Sequence, residues 1–122
     1  MNPMRPNPEF WELLDGMIEG GEVVIERPKG SRHPEYPEIV YPLDYGYIAG
    51  TRASDGEELD LWLGSAPGRK LVALVATVDA LRRDVEIKLL IGCTPAEAAA
   101  IDAFYNDYAG MKGLFYGGRT GK

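Results

Sequence analysis

The chain predicts a mainly β fold of the α+β class, with about five strands and a helix towards each terminus. Three observations carry this reading. β-Branched or alternating runs recur at 23–25, 59–63, 70–78 and 85–91, and a tyrosine-rich stretch at 41–48 adds an extended segment. Apolar residues follow a helical period from Phe10 to Ile18 and again from Ala98 to Tyr108. Gly and Pro punctuate the joins, as at Gly20-Gly21, Pro28 and Pro67-Gly68. At 122 residues the chain reads as a single domain over 1–122, long enough to bury about two-thirds of its unfolded surface.

Each element has its own signal. Residues 1–7 are rich in Pro and Asn and read as a loose terminus without the pattern of a signal peptide. Asn7 is a good N-cap and Pro8 a good first helical residue, so a helix carrying Phe10, Trp11, Leu13, Leu14, Met17 and Ile18 runs to Gly20-Gly21. Val23-Val24-Ile25 reads as a strand that ends at Glu26. Residues 27–34 form a basic loop broken by Gly and Pro, with Arg27, Lys29, Arg32 and the single His33. In the strand 59–63, Asp60 points away from Leu59 and Leu61. Residues 70–78 are apolar and Val-rich, as in a buried strand. Asp79 and Asp84 then flank a charged connection, and the strand 85–91 puts Glu86 and Lys88 on one face with Asp84. Thr94-Pro95-Ala96-Glu97 is a capping box that opens a helix to about Tyr108. Residues 111–122 read as a Gly-rich, basic tail.

Composition narrows the function classes. A net charge of −6 argues against nonspecific nucleic-acid binding. No apolar run approaches the ~18 residues of a membrane-spanning helix. The single Cys93 excludes an intramolecular disulfide and fits a reducing, cytoplasmic compartment; it reads as a small buried apolar residue. One histidine makes no zinc-ligand set.

The chemistry is densest at 41–60, which reads YPLDYGYIAGTRASDGEELD. Tyr41, Tyr45 and Tyr47 are followed by Asp55, Glu57, Glu58 and Asp60. Converging carboxylates repel unless a cation neutralises them, and an all-oxygen set suits Mg²⁺ or Mn²⁺. A solvated acidic turn explains the same charges. Likewise Lys29 and Arg32 either grip phosphate or merely balance the acidic turn, and Asp79 and Asp84 either face a metal or keep a hairpin soluble.

These residues resemble the soluble, Mg²⁺-dependent inorganic pyrophosphatases. The likeness lies in YPxxYGYI at 41–48, Thr51, the Asp55-Gly56-Glu57-Glu58-Leu59-Asp60 signature, the Asp79 and Asp84 pair, and the strand ending Glu26-Arg27-Pro28. The resemblance implies a closed five-stranded barrel of oligonucleotide-binding-like (OB-like) type, with the N-terminal and C-terminal helices packed outside. It implies metal ligation by Asp55, Asp60, Asp79 and Asp84, with Glu26 as a further candidate. Glu57 stands where the family has the Asp tied to activating the attacking water, and Tyr45 is expected to fix a ligand carboxylate. Lys29, Arg32, Tyr41, Lys88 and Tyr108 are expected on the substrate. The chain also departs from the family. Glu57 is one methylene longer than Asp, and a misplacement of about an ångström can cost on the order of 100-fold in rate. Glu86 stands where the family has Lys, with Lys88 two residues on, and Ala109 follows Tyr108 where a Lys is usual, leaving Lys112 as a substitute.

The expected function is metal-dependent hydrolysis of inorganic pyrophosphate to two phosphates through a metal-activated water, with Mg²⁺ or Mn²⁺ as cofactor. The alternatives are hydrolysis of another phosphoanhydride or a nucleotide, and a non-catalytic barrel that binds phosphate, metal or a protein. The expected partners are a small phosphorylated substrate and further copies of the chain, with neither nucleic acid nor membrane.

Overall fold

The computed structural model describes residues 7–107 and 110–117, so all but the last residue of the loose terminus expected at 1–7, and the end of the tail at 118–122, lie outside it. The elements run α1 (Pro8–Glu19), β1 (Glu22–Arg27), β2 (Asp44–Ala49), β3 (Leu59–Leu63), β4 (Leu71–Asp79), β5 (Asp84–Ile91), α2 (Pro95–Asn106) and β6 (Met111–Tyr116). Asn7 takes the N-cap position of α1 with no side-chain capping bond, and the helix stops at Gly20, whose N–H reaches the Gly16 and Ile18 carbonyls. In α2 the capping box forms in full between Thr94 and Glu97.

The strands form one mixed sheet in the order β1-β2-β3-β5-β4-β6. Only β3 and β5 are parallel; the other neighbours are antiparallel. This follows from the β4–β5 hairpin, whose second strand returns to lie beside β3. Gly46 lies where β2 crosses β1 closely, and a Cβ there would overlap the Val24 carbonyl. The β1–β2 register shifts between Ile25 and Arg27 as well.

Strand alternation sends Leu61 and Trp62 to opposite faces, and each face has a core. Ile48, Leu61, Leu71, Leu89 and Ile91 pack beneath Trp11, Leu14 and Ile18 of α1. Tyr41, Leu43, Trp62, Val75, Leu90 and Cys93 pack with Ile101 and Tyr105 of α2. Asp60 therefore does not look out from a bare face. It shares the α2 face of the sheet with Trp62.

Two expectations are corrected. Residues 111–116, read as tail, form the edge strand β6 on β4, with Gly113 opposite Thr77 and Phe115 opposite Val75. The sheet therefore has six strands where five were expected. Its hydrogen-bonded order ends at β1 and β6, which do not pair among the described residues, so the closed five-stranded barrel is not confirmed. Among the described residues, no helix is long and apolar enough to cross a membrane.

Candidate active site

A cavity of about 460 Å³ opens on the α2 face of the sheet. The strand registers determine what lines it. Asp60 on β3 lies opposite Lys88 on β5, Glu86 is two residues earlier on the same face, and Tyr45 on β2 pairs with Trp62. Asp79 and Asp84 are direct partners at the ends of β4 and β5. All seven residues line the cavity together with Arg27 and Arg82, and all but Trp62 carry acid, base or hydroxyl chemistry.

The centre of the site is a cation held by two carboxylates. Lys88 Nζ donates to Asp60 Oδ2 at 3.0 Å and to Glu86 Oε1 at 2.6 Å. Its side chain is only 8% exposed, against 32% for Asp60 and 33% for Glu86. The ammonium also lies 5.5 Å from the centre of the Tyr45 ring. Burial works against its charge, but the facing Tyr105 hydroxyl and the Asp60 and Glu86 carboxylates outweigh it and hold the Lys88 pKa above its ordinary value. Burial pushes the Tyr45 hydroxyl well above its usual range, and the Asp60 charge and a hydrogen bond to Asp60 add to that. Tyr45 is thus a neutral hydroxyl in contact with Asp60.

The rest of the acidic set divides. Asp79 Oδ1 accepts the Leu81 and Arg82 amides, both at 3.1 Å, which closes the β4–β5 turn. Arg82 Nε lies 3.8 Å from Asp84 Oδ2 in an exposed pair. Asp55 Oδ1 accepts the Glu57 amide at 2.9 Å, in a turn where Gly56 takes a φ of +90°. The side chain of Asp55 lines a different cavity, of about 330 Å³, beside Phe10, Leu14 and Met17 of α1. Glu57 is exposed and lines neither cavity. Glu26 is also exposed and outside both linings.

The cations divide as well. Lys29 and Arg32 lie on the exposed loop outside the cavity. The Lys29 amide donates to Asp44 Oδ1 at 2.8 Å, and Arg32 donates to the Pro37 carbonyl at 2.8 Å. Lys112 donates to the Asn106 carbonyl at the end of α2, at 3.0 Å. Tyr108 lies outside the described residues. Sequence reasoning missed Arg82, Glu86, Arg27 and Tyr105, which do line the cavity. Arg27 donates to the hydroxyl of the buried Tyr41 at 2.9 Å. Tyr105 accepts from Trp62 Nε1 at 3.0 Å. A signal existed for Arg27, the last residue of its strand before Pro28; Tyr105 was counted only as part of the apolar side of a helix.

An all-oxygen donor set suits a hard cation, but the set is not gathered. Among the described residues no three His, Cys, Asp or Glu side chains group closely enough to hold a metal ion. Asp60 gives one oxygen to Lys88, and Asp79 spends one on backbone amides. As they stand, these residues do not fit a divalent metal.

A model of the inorganic pyrophosphatase family matches residues 15–115. No curated protein matches the chain. Among solved structures, an inorganic pyrophosphatase from Neisseria gonorrhoeae is similar over 84% of this chain and 86% of that one, with a TM-score of 0.63 and 22% identity. One from Coxiella burnetii is similar over 78% and 82%, with a TM-score of 0.55 and 18% identity. One from Helicobacter pylori is similar over 78% and 81%, with a TM-score of 0.54 and 20% identity. At these identities the solved structures speak for the fold.

Proposed function

The chain belongs to the inorganic pyrophosphatase family, and on that premise we propose that it hydrolyses inorganic pyrophosphate to two phosphates. The observation that supports this most is the cavity on the α2 face, where Asp60, Asp79 and Asp84 meet Arg27, Arg82 and Lys88. Pyrophosphate is small, anionic and rich in acceptors. Arg27 supplies a planar guanidinium against its oxygens, and Lys88 has used two of the three donors of its ammonium. Such cations stabilise the charge that develops as water attacks one phosphorus and the bridging oxygen leaves on the other phosphate. Tyr45 and Tyr41 position Asp60 and Arg27 respectively.

In this reading Glu57 orients or deprotonates the attacking water. Its exposed turn must then close over the cavity when substrate binds. Lys29, Arg32, Tyr108 and Lys112 are proposed as further phosphate contacts, with Asp55 and Glu26 as outlying acidic positions. Dependence on Mg²⁺ or Mn²⁺ belongs to the reading through the family, and chelation checks it. No step is assigned to the ion, because the carboxylates do not gather around one.

A second reading, hydrolysis of a nucleotide or another phosphoanhydride, is favoured by one feature. His33 and the half-exposed Tyr36, with ring centres 5.1 Å apart, line the same cavity and offer flat surfaces to a base. We further propose one domain, a cytoplasmic setting and self-association through exposed apolar residues such as Leu13 of α1.

Phosphate release from pyrophosphate by wild type, Glu57→Gln and Glu57→Asp tests the reading. Loss of about 100-fold or more in Glu57→Gln, with the fold kept, is expected for a general base. Equal turnover in that variant removes Glu57 from the chemistry. A nucleotide hydrolysed while pyrophosphate is untouched selects the second reading.

A further inference from the structure

The position that a metal would need at Asp60 already holds a charge. Strand alternation puts residues 86 and 88 on one face of β5, and the parallel register sets Lys88 beside Asp60. The ammonium lies within hydrogen-bond distance of both carboxylates, 3.0 Å from Asp60 and 2.6 Å from Glu86, and its side chain is almost wholly buried. The Tyr45 ring faces the same ammonium, with its centre 5.5 Å from Nζ. Every neighbour favours one positive charge at this point. A second cation bound to the same Asp60 oxygen would sit within a few ångströms of the ammonium, where repulsion in a partly dry site is strong.

We infer that Lys88 is a tethered cation that fills the Asp60–Glu86 position and excludes a divalent ion from it. The pair of carboxylates is then neutralised by a side chain of the protein, and removing that side chain opens a divalent-ion site. The inference rests on reading this cavity as the family's site, yet it can fail separately from the hydrolase reading.

The test is Mn²⁺ binding by calorimetry, without pyrophosphate, to wild type, Lys88→Met and Lys88→Arg. Lys88→Met keeps the length and loses the charge. It should gain one Mn²⁺ site or tighten binding by about tenfold or more, and Lys88→Arg should gain nothing. Unchanged number and affinity of sites in Lys88→Met overturn the inference. Removing one partner of a buried pair can prevent folding. If Lys88→Met folds only with Mn²⁺ present, the ion has taken the ammonium's place and the inference stands. If it folds under neither condition, the side-chain ¹H–¹⁵N signal of Lys88 in wild type decides. That signal should keep its position as Mg²⁺ is added, and its shift or loss contradicts the exclusion. Phosphate release is measured on the same wild-type sample. Its absence beside the expected Mn²⁺ result refutes the hydrolase reading alone, and the reverse pattern refutes the tethered cation alone.

Discussion

Burial pushes the Cys93 thiol up to about 12, and the nearby Glu97 charge adds to it. The residue is 7% exposed and packs in the core beneath α2. A thiol so placed is protonated and shielded in neutral solution. Native protein at about pH 8 should therefore react with iodoacetamide far more slowly than unfolded protein. Equal rates would mean that the α2 core opens readily. This role for Cys93 was legible from residue type alone. The partners of Lys88 were only half legible. Alternation puts Glu86 and Lys88 on one face, but the contact with Asp60 needs β5 beside β3, which no local pattern states. Lys29 and Arg32 show the opposite limit. Their charge was plain, but their direction depends on loop contacts with Asp44 and Pro37. Arg27, one position before Pro28, faces the cavity instead.

Among the elements, α2 is the one whose start was read most fully. Thr94 and Glu97 close the capping box, and Glu97 also accepts the Ser65 amide, with both of its oxygens at 3.1 Å. One carboxylate thus ties the helix to the segment leaving β3. The Thr94 amide, followed by the Ser65 amide, holds its pKa below the ordinary carboxylate value. A pKa lowered by folding contributes stability above the ordinary carboxylate range, and that stability is lost as pH falls through the folded value. Glu97→Ala should cost about 1–2 kcal/mol near neutral pH in urea unfolding, with the gap to wild type shrinking as the solution is acidified below the ordinary carboxylate range. A gap that does not change with pH would assign the loss to packing. β6 was the element missed. Its inward positions are Met111, Gly113 and Phe115, and the central one has no side chain to reveal the alternation. Gly113 suits the spot: a Cβ there would stand 3.0 Å from Val75 and 3.3 Å from Tyr105. The acidic turn also differs from its sequence pattern. Asp55, Glu57 and Asp60 are neighbours in the chain, but the turn sends Asp55 towards α1, leaves Glu57 exposed and lets only Asp60 reach the α2 cavity.

Across the whole molecule, local pattern yielded every element but β6, while the arrangement expected from the family likeness, a closed five-stranded barrel, is not confirmed. The two-sided core shows what local pattern leaves open. Leu61 and Trp62 both read as buried, and alternation alone cannot say that α1 covers one and α2 the other. That arrangement brings Asp60, Asp79 and Asp84 to one cavity from β3, β4 and β5, beside cations that suit a small polyanion. Phosphate release from pyrophosphate by the purified wild-type chain, with and without Mg²⁺, tests the central claim most directly. Phosphate release from pyrophosphate, with Mg²⁺ present, is the expected result. Folded protein that releases no phosphate under either condition would contradict it.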